Sequence, residues 1–255
     1  MKVLDVKNLV FKVKDKVVLD NINFSVNELE YVLLNGLNGS GKSTFLKILA
    51  NDIDPSQYPN SELWGEILDK NNNNILDRRN REEFSRKICY IPQEDCFVGK
   101  TIMEELQISL NLAGLDDSKG GVYNSIDELN LTNILQSIDA ANEIKKIFKL
   151  NPNKLSGGQK KLISIVSSLI RAKNCEICLV DEPLNNLDIK HVRAICNILT
   201  YINKELKKSI ILVSHCRVFP NITSSYMFDD GKLSKEDNQE CFACFGRPNM
   251  QGYYD

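Results

Sequence analysis

The run Gly36-Leu37-Asn38-Gly39-Ser40-Gly41-Lys42-Ser43 matches the pattern G-x-x-x-x-G-K-[ST] in full. A loop of this kind cradles phosphate. Its backbone N–H groups, together with those of the helix that opens at Ser43, form a nest for phosphate oxygens. A side chain at Gly39 or Gly41 would obstruct that approach. Lys42 is long enough to reach the outer phosphates, and the Ser43 hydroxyl is a ligand for Mg²⁺. A second piece of chemistry is Ile177-Cys178-Leu179-Val180-Asp181-Glu182, an apolar run ending in two carboxylates. On a parallel sheet, ligands bind beyond the carboxyl ends of the strands. Asp181 there would hold Mg²⁺ through water, and Glu182 would polarise an attacking water. A solvated acidic turn before Pro183 is the bland alternative, and the phosphate loop weighs against it. The third piece is Leu155-Ser156-Gly157-Gly158-Gln159. Ser156 stands where an N-cap belongs and Gln159 follows at capping-box spacing. A capping serine and bare glycines at a helix start make a second anion site. That site has no obvious job in its own monomer.

These residues need elements to hold them. Residues 2–13 and 16–26 alternate apolar and polar, as half-buried antiparallel strands do. Tyr31 to Leu34 is a short apolar strand running into the phosphate loop, and Ser43 to Ala50 begins an apolar helix. Leu63 to Leu68 and Ile88 to Pro92 read as further strands, with Asn71 to Asn74 as a surface loop. Residues 101–150 read as largely helical, interrupted at Gly114 to Gly121. A helix from Ser156 to about Ala172 precedes the strand Glu176 to Val180. A helix over Ile189 to Lys207 precedes the strand Ile210 to Val213. Alternating β and α segments predict a parallel sheet covered by helices.

Composition sets the bounds. The chain has 255 residues, a net charge of −2, 42% hydrophobic and 26% charged residues. No general basic surface points to nucleic acid. No apolar run approaches the roughly 20 residues that cross a bilayer, and the N-terminus has no signal-peptide core. The expectation is therefore a chain neither secreted nor membrane-spanning by itself. Eight cysteines are scattered, with Cys89, Cys178 and Cys196 inside apolar runs, as reduced buried thiols would be. Cys241 and Cys244 are closely paired in sequence, in a tail with its own aromatics.

The phosphate loop, the Leu155–Gln159 segment and Asp181-Glu182 together resemble the signature of ABC-type ATPases, over roughly residues 3–235. The resemblance implies an α/β fold. Its parts are a P-loop NTPase core with a mainly parallel sheet flanked by helices, an N-terminal antiparallel β subdomain and an inserted α-helical subdomain. A single ATPase domain over 1–235 would comprise a nucleotide-binding core, about 1–93 and 156–235, and a helical insert, about 94–155, leaving 236–255 as a tail. The implied cofactors are ATP and Mg²⁺, and the implied reaction is ATP hydrolysis. Gly36, Asn38, Gly39, Ser40, Gly41, Lys42, Ser43 and Thr44 would hold one nucleotide. Ser156, Gly157, Gly158 and Gln159 would face the γ-phosphate of a nucleotide held by a second ATPase domain. Gln93 resembles the Q-loop glutamine, which senses Mg²⁺ and water. Asp188 resembles the D-loop aspartate, and is also placed to cap a helix. His215 resembles the switch histidine at the γ-phosphate. His191 is assigned nothing.

Several positions depart from the family pattern. The aromatic that stacks on adenine is expected near Val13, which is not aromatic; Phe11, two residues back on the same strand face, is the substitute considered. Leu162 and Ser167 stand where arginines are common. Leu184-Asn185-Asn186 replaces small polar residues before Asp188. The leading expectation is the ATPase subunit of a membrane transporter, bound at the cytoplasmic face to a permease made as a separate chain. Glu94 to Lys100 is the expected contact with it, with Phe97 and Val98 as apolar anchors. The alternative is a soluble, non-transport ABC ATPase of the iron–sulfur cluster assembly type. No nucleic-acid partner is expected.

Overall fold

Two sheets carry the molecule, and the difference in their burial explains the difference in their sequences. The structure is a computed structural model and describes residues 1–53, 59–136, 143–171, 173–185 and 187–236. Strands β1 (Lys2–Val13), β2 (Lys16–Asn27) and β4 (Ser61–Asp69) form an antiparallel sheet in the order β2-β1-β4. One face of it is buried and the other meets solvent, hence the alternation. The second sheet has six strands in the order β5-β6-β7-β3-β8-β9. These are β3 (Tyr31–Gly36), β5 (Ile88–Ile91), β6 (Ile177–Asp181), β7 (Ser209–Val213), β8 (Ser224–Asp229) and β9 (Lys232–Lys235). All its pairings are parallel except β8 with β9.

The central strands β3, β6 and β7 are buried at every position, because both faces of this sheet are covered. Val32, Leu34, Ile177, Leu179, Ile211 and Val213 face the antiparallel sheet and helix α1 (Lys42–Leu49). Phe45 of α1 meets Phe24 edge-on and leans on Phe228, joining the layers. The opposite residues, among them Leu33, Cys178, Val180, Ile210 and Leu212, face the remaining helices. These include α3 (Ile102–Leu112), α4 (Lys119–Glu128), α5 (Thr132–Gln136), α6 (Ile144–Ile147), α7 (Gly157–Arg171) and α8 (Ile189–Lys204). No helix among the described residues is long and apolar enough to cross a membrane.

Three expectations change. Gly120 and Gly121 lie inside α4, which Ser118 caps by accepting from Gly121 N, so the helical break falls before them. A polar helix, α2 (Arg78–Ser85), and the β8–β9 hairpin were not foreseen. Phe97 is buried in the helical core, so of the two expected apolar anchors only Val98 is exposed. The cause is Glu105, whose buried carboxylate accepts from Val98 N and Gly99 N, each at 2.9 Å, and draws this segment onto α3. Cys241, Cys244 and Asn186 lie outside the described residues. Of the tail, Glu236 is described and pairs with Arg217.

Candidate active site

The phosphate loop joins β3 to α1, and its shape is fixed by two glycines. Gly36 has φ +142° and Gly41 φ +108°, conformations that L side chains rarely adopt. A Cβ on Gly36 would stand 2.3 Å from the Phe228 carbonyl, and one on Gly41 2.9 Å from that of Val18. The loop is thereby pressed against β8 and β2. Gly39 shares the positive φ, at +79°, but a Cβ there would meet nothing within 4 Å among the described residues, so it is needed for the backbone turn and an open surface rather than for packing.

Lys42 Nζ donates to the Gly36 and Leu37 carbonyls, both at 2.8 Å. Burial lowers its pKa, while the carboxylates of Glu182 and Asp181 oppose that shift. The Ser43 hydroxyl donates to Asp181 Oδ1 at 3.0 Å. The two expected Mg²⁺ ligands on separate elements are thus in contact. Asp181 is raised by burial, with the Ser43 hydrogen bond and nearby lysines pulling the other way. Glu182 follows immediately, with φ +44°, which turns its side chain off the strand direction. Burial, with the Asp181 charge added, pushes it up to about 7 against the pull of Lys42. His215 Nε2 lies 3.1 Å from Glu182 Oε1 and 2.8 Å from Asn38 Oδ1. Burial and the Lys42 charge hold this histidine below its ordinary value. Near neutrality the site therefore holds a carboxylate poised to give and take a proton beside a neutral imidazole.

Lys42, Ser43, Asp181, Glu182, His215 and Asn38 are therefore one connected group. Gln93 is exposed and its side chain makes no hydrogen bond to Ser43 or Asp181. Its backbone is fixed instead: Lys161 Nζ donates to Pro92 O, Gln93 O and Asp95 Oδ1 at 2.9, 3.0 and 2.7 Å. Lys161 belongs to α7, so the helix that starts at Ser156 holds the Gln93 segment. Ser156 closes a reciprocal cap: Ser156 N donates to Gln159 Oε1 at 3.0 Å and Gln159 N to Ser156 Oγ at 3.4 Å. Ser156 and Gly157 are exposed, Gly158 is buried. Asp188 caps α8 by accepting from His191 N at 3.0 Å.

Phe11 is corrected. It is 2% exposed in the core beneath the antiparallel sheet, so neither ring face is open to a base. Val13 is half-buried near the end of β1. Two residues were missed. His191 holds both Asp188 carboxylate oxygens with Nδ1 at 2.8 Å, and its ring occupies the place where a Cβ on Gly158 would stand, 2.2 Å from Cγ. The three-residue spacing from Asp188 on one helix turn was the available signal. Tyr90 was also missed. It is raised by burial, with the Asp181 charge adding to the effect.

The ABC transporter family model matches residues 19–185. The chain belongs to the ABC transporter family. Its ATPase activity is that of the family's ATP-binding domains. The chain is 31% identical over 212 residues to a putative ABC transporter ATP-binding protein of Clostridium acetobutylicum, covering 80% of this chain and 79% of that one. It is 32% identical over 203 residues to an energy-coupling factor transporter ATP-binding protein of Mesomycoplasma hyopneumoniae, covering 79% and 66%. Among solved structures it is similar to a dimeric bacterial ABC transporter cassette, with 25% identity, a TM-score of 0.73, and 91% and 97% of the two chains covered.

The site fits a nucleoside triphosphate with Mg²⁺. Ser40 Oγ is buried in the loop with no hydrogen-bond partner among the described residues, an uncommon state that a phosphate oxygen would relieve. Ser43 and Asp181 supply the hydroxyl and carboxylate oxygens that Mg²⁺ takes.

Proposed function

We propose that this chain is the ATP-hydrolysing subunit of a membrane ABC transporter, pairing with a second ATPase domain and driving a permease made as a separate chain at the cytoplasmic face. The observation that carries this reading is the division of labour between two glycine-rich segments. The Gly36–Ser43 loop is wired to Asp181, Glu182 and His215, whereas the exposed Ser156 exchanges hydrogen bonds with Gln159 at the start of a different helix. A second chain is the natural source of phosphate for that cap. The solved cassette to which this chain is similar is likewise a dimer. The nucleotide-binding core is assigned to about 1–93 and 156–235, and the helical insert to about 94–155.

The residues take the following parts. Loop N–H groups and Lys42 hold the β- and γ-phosphates, Lys42 leaving the carbonyls of Gly36 and Leu37 to do so. Ser43 and Asp181 would hold Mg²⁺, whose charge would offset that of the phosphates, and Gln93 would add a further oxygen from its own loop. Glu182 accepts a proton from the attacking water as the water bonds to the γ-phosphorus and the ADP oxygen departs. His215 steadies Glu182 and the γ-phosphate, with Asn38 fixing the ring.

The permease contact is assigned to a groove of about 870 Å³ between the Gln93 side of the sheet and the helical insert. Ile88, Tyr90 and Pro92 border one side, Ala113 and Leu115 the other, with Leu112 exposed at the rim. This replaces Phe97 as the apolar anchor. The test is Glu182→Gln at high protein concentration. Phosphate release should vanish, and light scattering should show a dimer with ATP and Mg²⁺ that is absent with ADP. A monomer at saturating ATP would overturn the sandwich.

A further inference from the structure

A cluster of three buried thiols takes no part in ATP chemistry. Cys89 of β5 and Cys178 of β6 are directly paired in the parallel register, and Cys175 lies three residues before Cys178. The Cys175–Cys178 spacing is the same as that of Cys241 and Cys244. All three thiols are free and buried, and their sulfurs lie within 4.8 Å of one another, with Cys175 and Cys178 at 3.9 Å. Three sulfurs each about 2.3 Å from one trigonal metal would stand about 4.0 Å apart. The cluster thus needs only a small inward adjustment to hold an ion.

Its surroundings suit a soft cation. Among the described residues no histidine, carboxylate or fourth cysteine completes the group. The neighbouring Glu176 carboxylate is engaged by Lys70 at 2.6 Å. Zn²⁺ in structural sites asks for four ligands. Cu(I), a soft ion selected by thiolates, accepts three. Lys208 donates to the Cys175 carbonyl at 2.6 Å and places a positive charge at the rim, offsetting thiolate charge. There is also a way in: Cys175 borders a surface cavity of about 470 Å³ with Asn174, Lys207 and Lys208.

We propose that Cys89, Cys175 and Cys178 form a three-sulfur site for a soft, low-coordinate metal ion of the Cu(I) class, clamping β5 to β6 at the ends opposite Gln93 and Glu182. Each thiol that ligates releases its proton to solvent, and no electron is transferred.

The experiment uses the full chain, reduced and metal-free, with Cys241→Ser and Cys244→Ser to silence the tail. Cu(I) is titrated anaerobically against bicinchoninate. One copper per chain should be retained, and copper-edge X-ray absorption should show three sulfurs at about 2.3 Å. Cys89→Ser, Cys175→Ser and Cys178→Ser should each weaken binding at least tenfold, while the buried control Cys196→Ser should not. The absorption measurement on the parent chain decides even if a serine variant fails to fold. Failure to retain copper, a two-sulfur shell, or binding indifferent to Cys89→Ser would overturn the site. None of these outcomes bears on ATP hydrolysis.

Discussion

Lys161→Met keeps an apolar stem of similar length and deletes an ammonium that serves three acceptors. Lys161 and Asp95 have side chains only 6% and 12% exposed, so the pair is largely out of water. Removing one partner leaves Asp95 as an uncompensated charge, and the carbonyls of Pro92 and Gln93 lose a donor. A broken buried pair costs about 3–5 kcal/mol. For a domain of this size each kcal/mol lowers Tm by about 2–4 °C, giving a fall of about 6–20 °C. The assay is thermal melting followed by circular dichroism at moderate salt, beside Asp95→Leu and the double variant. Because deleting both ends leaves no orphan charge, the double variant should melt well above either single one. Steady-state ATPase measurements belong alongside, since freeing the Gln93 segment from α7 should reduce turnover even below the melting range. A Lys161→Met chain that melts within about 2 °C of the parent, or single costs that simply add, would refute the claim that this ammonium bolts the two segments together.

Other outcomes are equally direct. Lys42→Ala should lose nucleotide binding, read by fluorescent-nucleotide titration; unchanged affinity would contradict the role of the loop. With Glu182 near 7, kcat/KM for ATP should rise with pH and inflect at about 7, as the base ionises; a flat profile from pH 6 to 8 would count against it. The same shift has a stability sign. The folded state holds this proton more tightly than the unfolded chain, so stability falls as pH rises from about 4.5 to about 7 and the penalty persists above. Glu182→Gln should therefore melt higher than the parent at pH 8 and lose that advantage near pH 4. Gly158→Ala drives a methyl into the His191 ring and should cost about 1–3 kcal/mol in urea denaturation, most of it recovered by adding His191→Gly.

What the sequence made legible were features fixed by local spacing. The phosphate loop, the carboxylate-ended strand and the Ser156–Gln159 cap each sit within eight residues, and each is positioned by its own backbone. Helix α2 escaped because Arg78–Ser85 buries only Phe84, which leaves no apolar periodicity. The β8–β9 hairpin did carry a turn signal, Asp230-Gly231, which was overlooked. Phe97 and Val98 are both apolar, and which one turns inward depends on Glu105, a distant side chain reaching back to their backbone. Likewise Phe11 has the right chemistry for a base, but the sheet pairing that buries it lies across Leu19 and Leu63. The Cys89–Cys178 contact is a cross-strand pairing and has no local signature at all.

The strand order acts as a ruler. Glu182 follows β6, His215 follows β7 and the phosphate loop follows β3, so three neighbouring strands deliver their groups side by side. Gln93 follows β5, three strand widths from β3, and at about 4.8 Å per step that is about 14 Å. The loop leans across that span, since Ser43 at its end already touches Asp181 of β6, the strand next to β5. Gln93 thus stands at the outer end of the row with its carbonyl tied to α7 through Lys161, so the position of that helix sets how far the row extends.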